Sequence, residues 1–202
     1  MATAAQADVE GFAVRLATAS PDAWLDAVLN DFDAFLLDHA SNERKASAQA
    51  LSLVAHYADR PRLVETLIEL AREELAHFQQ VVRIAARRGL ALAPDRPDAY
   101  VHALRASIRR GPEAYFLDRL LVSAVVEARG CERFGRIASA ISDALLARFY
   151  REIADSEARH AALFVELAAL YFERPIVRSR LAELSAEEAA IVYELAIRPA
   201  LH

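Results

Sequence analysis

Apolar residues recur three and four positions apart along four long stretches of the chain, at about 31–58, 61–88, 112–139 and 142–172. This spacing places the apolar side chains on one face of an α-helix, and no stretch shows the sustained alternation typical of a β-strand. Prolines fall at the starts of the stretches or outside them, and the glycines other than Gly130 and Gly135 also lie outside the stretches, where such residues begin or end helices. The pattern therefore predicts an all-α fold built on a four-helix bundle with its core at about 31–172.

Three shorter helices are predicted around this core, at about 22–29, 97–110 and 185–197. The last of these is predicted to begin after Ser185, with Glu188 completing a capping box. A chain of 202 residues suits one compact domain, so we expect residues 1–202 to form a single domain.

Composition narrows the class of protein. Hydrophobic residues make up 55% of the chain, which is enough for a sizeable core. Charges interrupt every long apolar run, so no membrane span is expected. A single cysteine, Cys131, excludes an internal disulfide framework, and the N-terminus lacks the basic and apolar regions of a secretory signal. We therefore expect a cytoplasmic protein that does not enter a membrane.

Each of the four apolar seams contains an ionisable residue where leucine would be expected. Two seams carry Glu-x-x-His, and each of the other two carries one glutamate; the candidates are Glu43, Glu74, His77, Glu127, Glu157 and His160. Residues three apart share a helix face, so each Glu-x-x-His pair points inward together. Glu43 and Glu74 lie 31 residues apart, and Glu127 and Glu157 lie 30 apart, as in a duplicated helical hairpin. The six side chains are therefore predicted to converge on one level.

Four carboxylates in an apolar layer require compensating positive charge. A buried, unpaired ion costs several kcal/mol, and like charges packed together raise that cost. The seams contain no arginine or lysine, whereas two divalent cations would neutralise them. Oxygen-rich sites with one imidazole per metal suit iron or manganese, as in the di-metal centres of ferritin-like bundles. His39, one turn before Glu43, is either a hydrogen-bonding partner of that ligand or a core histidine.

The metal site alone leaves the reaction open. Di-iron centres oxidise C–H bonds with O2, oxidise and store iron, or generate radicals, and related centres disproportionate peroxide. A ferritin-like ferroxidase or storage protein and a manganese catalase therefore remain alternatives. A metal-free interaction module is disfavoured by the uncompensated carboxylates. Native mass separates the classes, because a 24-subunit shell indicates storage, a hexamer catalase, and a monomer or dimer a hydroxylase.

Four segments resemble the bacterial tRNA 2-methylthio-N6-isopentenyladenosine hydroxylase family: LLDHASNERKA (36–46), LAREELAHFQQV (70–81), VVEARGCERF (125–134) and DSEARHAALF (155–164). The resemblance covers about 22–198. It implies a ferritin-like, nonhaem di-iron monooxygenase that hydroxylates the isopentenyl group of the modified adenosine next to the tRNA anticodon. It also implies two iron ions, O2 as co-substrate and an external electron donor such as a ferredoxin/reductase system. The family pattern assigns Glu43, Glu74 and His77 to one set of ligands and the other three residues to the second.

A tRNA substrate calls for basic surface, although the formal net charge is −5. The candidates for contact with anticodon-loop phosphates are Arg83, Arg87, Arg88, Arg109 and Arg110. All but one of the 24 basic residues are arginine, so arginine clusters by themselves carry little weight in this chain.

Overall fold

The computed structural model describes residues 14–92 and 94–202, and within these ranges the chain is helical without a β-strand. The helices are α1 (Asp22–Asn30), α2 (Phe32–His56), α3 (Pro61–Arg87), α4 (Ala99–Ala106), α5 (Pro112–Ala140), α6 (Ala144–Tyr171) and α7 (Arg174–Glu194). The all-α prediction is confirmed, and the four long helices begin and end within a few residues of their predicted limits. Among the described helices, none combines the length and apolarity that a bilayer crossing requires.

Local signals explain where the helices begin and end. An aspartate side chain accepts backbone N–H groups at the start of three helices, in the case of Asp31, Asp98 and Asp143. A proline lies in the first turn of three others, where its missing N–H costs nothing. Gly89 and Gly111 have positive φ, at 76° and 97°, a conformation that side chains with a Cβ rarely adopt.

The connecting helix is shorter than the predicted 97–110. α4 ends at Ala106, and the backbone N–H of Arg109 donates to Asp118 Oδ2 at 2.9 Å. A carboxylate from α5 therefore takes the hydrogen bond that a longer helix would have directed to its own carbonyls. This competition comes from tertiary structure, so the local pattern of the segment does not show it.

The prediction for the last helix is wrong. α7 begins at Arg174, with Pro175 in its first turn, and Ser185 is a buried residue in its interior rather than a cap. Glu188 is fully buried, and its carboxylate accepts two hydrogen bonds from Arg129, at 2.7 and 2.9 Å. The capping-box pattern was therefore misleading, because this glutamate bonds to a guanidinium on another helix.

The chain divides into two compact units, and the first consists of Ala23–Pro97 and Ile197–Leu201. Here α2 and α3 pack along each other, and Ser47 Oγ of α2 donates to the Ala71 carbonyl of α3 at 2.8 Å. The C-terminal stretch joins the unit through two hydrogen bonds, from Trp24 Nε1 to the Ala200 carbonyl and from the Leu201 N–H to Asp38.

The second unit consists of the described residues up to Asp22, Asp98–Ala196 and His202. Here α5 and α6 form the main pair, and α7 packs mainly on α5. The pair Arg129–Glu188 joins α5 to α7, and Arg180 of α7 contacts Asp118 of α5 at 3.1 Å. That residues 1–202 form a single domain stays a prediction.

Candidate metal centre

One cluster of predicted ligands lies between α2 and α3 within the first unit. Single ligand atoms from Glu43, Glu74 and His77 lie within 4.8 Å of one another, and all three side chains are buried. His77 Nδ1 is 3.5 Å from Glu43 Oε2 and 3.5 Å from Glu74 Oε2. The two helices of this hairpin therefore bring one isolated glutamate to a Glu-x-x-His pair, as the spacing predicted.

Electrostatics show that this cluster favours positive charge. Burial alone would raise the pKa of Glu43, but the hydrogen bond from His39 and the nearby imidazole of His77 hold that pKa well below 4.5. Burial alone would lower the pKa of His77, but the carboxylates of Glu43 and Glu74, each 3.5 Å from Nδ1, raise it to about 10. Each glutamate thus stabilises a cation beside it, which is the property a metal site needs.

His39 contacts the cluster directly. Its Nε2 is 2.6 Å from Glu43 Oε1, and the imidazole is fully buried. The sequence left open whether this residue was a core histidine or a partner of the glutamate. The contact makes it a partner, as the separation of four residues on one helix face allowed.

The second cluster lies between α5 and α6 within the other unit. Single ligand atoms from Glu127, Glu157 and His160 also lie within 4.8 Å of one another. Glu157 and His160 are buried, and Glu127 is partly exposed. Gly130, on α5, leaves space beside Glu157: a Cβ there would lie 3.6 Å from Glu157 Oε2. The absence of a side chain at this position therefore shapes the surroundings of a predicted ligand.

The donor sets fit iron or manganese. Each cluster offers two carboxylates and one imidazole, a combination of oxygen and nitrogen donors that suits these metals. Glu43 Oε2 is buried and accepts no hydrogen bond from any described residue. A buried carboxylate oxygen without a donor is costly unless a cation satisfies it. The assignment of all six ligands stays a prediction, which the geometry within each unit favours.

Three of the predicted tRNA-contact residues lie at the end of α3. Arg83 and Arg87 are exposed and form no ion pair with a described residue. Arg88 instead pairs with Asp33, its Nε 2.6 Å from Oδ1, and its guanidinium lies over the Phe32 ring. Arg83 and Arg87 are therefore available to a ligand, whereas Arg88 already has a partner.

The other two predicted contacts follow α4. Arg109 donates from Nε and Nη2 to Asp118, at 3.0 and 2.7 Å, and its backbone N–H bonds to the same carboxylate. Arg110 is exposed and forms no ion pair within the described part of the chain. Arg109 therefore stabilises the fold through Asp118, and Arg110 is the residue of this pair that remains available to a ligand.

The helical fold and the two carboxylate–histidine clusters define a ferritin-like protein of the di-iron carboxylate class. A family model described as tRNA-(MS[2]IO[6]A)-hydroxylase (MiaE) matches residues 9–202. The chain belongs to this family.

Similar proteins agree with this assignment. The tRNA 2-(methylsulfanyl)-N(6)-isopentenyladenosine(37) hydroxylase of Pseudomonas putida is 41% identical over 152 residues, covering 75% of this chain and 74% of that protein. The Salmonella typhimurium protein of the same name is 32% identical over 107 residues, covering 53% and 39%. A solved structure, Protein 43 with aldehyde deformylating oxygenase activity from Synechococcus, has a TM-score of 0.87 and 34% identity, covering 91% of this chain and 92% of that chain.

Proposed function

We propose that this chain is an O2-dependent di-iron monooxygenase that hydroxylates the isopentenyl group of 2-methylthio-N6-isopentenyladenosine next to the tRNA anticodon. The observation that carries the proposal is the family match over residues 9–202, since relatives named as this hydroxylase match across most of the chain. The carboxylate–histidine clusters support it, because hydroxylation of an unactivated methyl group needs a strong metal-based oxidant.

Two iron ions are the proposed cofactor. Glu43, Glu74 and His77 hold ligand positions on the first hairpin, and Glu127, Glu157 and His160 hold them on the second. The iron pair, when bound, supplies the activation of O2. The residues themselves neutralise the ions, fix their positions and keep bulk water away, since five of the six are buried.

The reaction also needs two electrons from outside the chain, and we propose a ferredoxin/reductase system as their source. We also propose that the protein is a cytoplasmic monomer or dimer. Measuring the native mass tests this form: a 24-subunit shell would favour iron storage, and a hexamer would favour catalase.

The decisive test of the reaction is nucleoside analysis of tRNA from a deletion strain. We expect the hydroxylated nucleoside to disappear, its unhydroxylated precursor to accumulate, and wild-type protein to restore the product. A strain supplied with Glu157→Ala should not regain the product, whereas one supplied with Glu152→Ala should, because Glu152 is an exposed glutamate on the same helix. Unchanged tRNA nucleosides in the deletion strain would refute the proposed reaction.

Metal analysis tests the cofactor. The purified protein should bind two iron ions per chain, and both Glu74→Ala and Glu157→Ala should lower that number. Glu152→Ala again provides the control, since it removes a carboxylate from α6 without touching a ligand. Undiminished metal in both ligand variants would contradict the assignment.

For tRNA binding we propose that exposed arginines contact the anticodon-loop phosphates, with Arg83, Arg87 and Arg110 carrying most of the effect. Arg88 and Arg109 remain candidates, although their ion pairs reduce their availability. Anticodon loops present splayed bases that proteins read by stacking and edge contacts, while arginines bind the phosphates.

Charge reversal separates phosphate contact from structure. The double variant Arg83→Glu/Arg87→Glu should weaken tRNA binding and flatten its salt dependence by about one unit per lost contact. Turnover of the free modified nucleoside and the metal content should stay unchanged. Arg151→Glu, at an exposed position of α6, is the matched control. A fall in nucleoside turnover as large as the fall in tRNA binding would show that the two arginines stabilise the fold instead of contacting phosphates.

One observation favours a second candidate. The Synechococcus protein is 34% identical to this chain and covers 91% of it, and its name gives it aldehyde deformylating oxygenase activity. Incubation of the reduced di-iron protein with O2 and a long-chain aldehyde tests this alternative. Alkane formation without any hydroxylation of tRNA would select it over the tRNA reaction.

A further inference from the structure

His39 contacts a predicted metal ligand although it is not itself one of the six predicted ligands. Its Nε2 lies 2.6 Å from Glu43 Oε1, and both residues are buried within the first unit. An ionised carboxylate can only accept hydrogen bonds, so Nε2 carries the proton and donates. The distance is short even for a hydrogen bond to a charged acceptor, which marks a strong contact.

An aromatic ring also packs against one face of the His39 imidazole. The ring of His39 stacks on that of Phe35, with centroids 6.0 Å apart and an angle of 29° between the planes. Phe35 lies one turn earlier on α2 and is fully buried. The donor therefore has a fixed direction, because packing limits the rotation that would carry Nε2 away from Glu43.

The two oxygens of Glu43 consequently have different surroundings. Oε1 accepts a hydrogen bond from His39 Nε2, whereas Oε2 accepts no hydrogen bond from a described residue and lies 3.5 Å from His77 Nδ1. Oε2 thus faces another member of the ligand cluster, whereas Oε1 is bonded to the imidazole of His39. The hydrogen bond therefore distinguishes the two oxygens of Glu43 from each other.

We propose that His39 is a positioning residue that keeps Glu43 a one-oxygen ligand, with Oε2 directed to the metal and Oε1 retained by the imidazole. This inference rests on the proposed di-iron function. Without the donor, Oε1 is free to join Oε2 on the metal, so the coordination of the ion changes. Partners of metal ligands outside the coordination shell commonly have this effect, and their loss costs about 10- to 100-fold in metal affinity.

Two substitutions separate the hydrogen bond from the packing. His39→Phe keeps a planar ring against Phe35 and removes the donor, whereas His39→Gln keeps an N–H donor of similar reach and removes the ring. Ser47→Ala is the matched structural control. Its hydroxyl lies one turn beyond Glu43 on the same helix and donates to the Ala71 carbonyl at 2.8 Å, without contacting a ligand.

The probe is Co(II), titrated into metal-free full-length protein, because its visible spectrum reports the number and geometry of its ligands. We expect His39→Phe to bind Co(II) with a changed spectrum and an affinity lower by about 10- to 100-fold. His39→Gln should restore the wild-type spectrum, with an affinity within about threefold of the wild type. Ser47→Ala should lower the melting temperature of the metal-free protein and leave the spectrum unchanged. A purely structural role for His39 would make His39→Phe resemble Ser47→Ala.

The results of the Co(II) titration separate the inference about His39 from the proposed metal centre. A wild-type spectrum and affinity in His39→Phe would overturn the inference and leave the di-iron proposal intact. Failure of the wild-type chain to bind Co(II) or Fe(II) at all would overturn the proposed metal centre, and the inference with it. If His39→Phe does not fold, His39→Leu removes the donor with a smaller apolar side chain, and the same comparison with His39→Gln applies.

Discussion

The ion pair between Arg129 and Glu188 gives a sharp prediction about stability. Both side chains are fully buried, and two hydrogen bonds, at 2.7 and 2.9 Å, join them between α5 and α7. Tyr100 adds a third hydrogen bond to the same carboxylate, at 3.0 Å. Glu188→Leu would remove the carboxylate and leave a buried guanidinium with fewer partners.

The size of the effect follows from this geometry. Removing one partner of a buried ion pair typically costs about 3–5 kcal/mol. Glu132, whose side chain is 20% exposed, remains 3.1 Å from Arg129, which moves the expectation to the lower end. We therefore expect a loss of about 3 kcal/mol. For a chain of this size that corresponds to a fall in melting temperature of about 6–12 °C.

Thermal unfolding by circular dichroism measures the change, and a double-mutant cycle gives its cause. Arg129→Met with Glu188→Leu removes both charges, so the double variant should lose much less than the sum of the two single changes. Glu152→Leu is the control, because that glutamate pairs with Arg148 on the exposed surface of α6 and should change stability by less than about 0.5 kcal/mol. A melting temperature of Glu188→Leu equal to that of the control, or strictly additive losses, would refute the reasoning.

Three further predictions concern single positions. Burial alone would raise the pKa of Asp118, but hydrogen bonds from Arg109 and Arg180 lower it. The ionised carboxylate therefore contributes its full stabilisation to the fold above the ordinary pKa of 3.8 and loses it as the pH falls below that value. Urea unfolding at different pH values should show that Asp118→Asn abolishes the loss of stability that this carboxylate causes in acid. Gly130→Ala should keep or raise stability by up to about 1 kcal/mol and retain metal, whereas Gly130→Leu should displace Glu157 and lower the metal content; a full metal complement in the leucine variant would contradict this. Arg119 Nε and Nη2 are buried without a hydrogen bond to a described residue, and Nη1 is 3.5 Å from the Tyr115 hydroxyl, so Arg119→Leu should leave the melting temperature unchanged or raise it; a clear fall would show that the contact with Tyr115 outweighs the cost of burying the guanidinium.

Local periodicity was sufficient to predict the helices that carry the candidate ligands. Glu74 and His77 share a face because three residues are nearly one helical turn, whatever the helix packs against. The near-equal separations from Glu43 to Glu74 and from Glu127 to Glu157 follow from two hairpins of similar length. Within each unit the structure brings the corresponding three side chains together, as this reasoning required.

Other features depended on partners distant in sequence. Arg129 and Glu188 are 59 residues apart, and nothing near Glu188 distinguishes a capping glutamate from a buried member of an ion pair. For the same reason Ser185 resembled a helix start, although α7 already begins at Arg174. Arg109 likewise matched the pattern of a residue available to phosphates, but in the structure it pairs with Asp118.

The order of residues along the chain thus determined the all-α fold class, the positions of the long helices and the inward faces on which the six candidate ligands lie. These properties repeat within a few turns of helix, so a short stretch of sequence carries them completely. Tertiary structure decided which charged groups were already paired and that His39 bonds to Glu43. The rotamer of a side chain and the identity of its neighbour depend on how helix faces pack, and the periodicity of one helix does not contain that information.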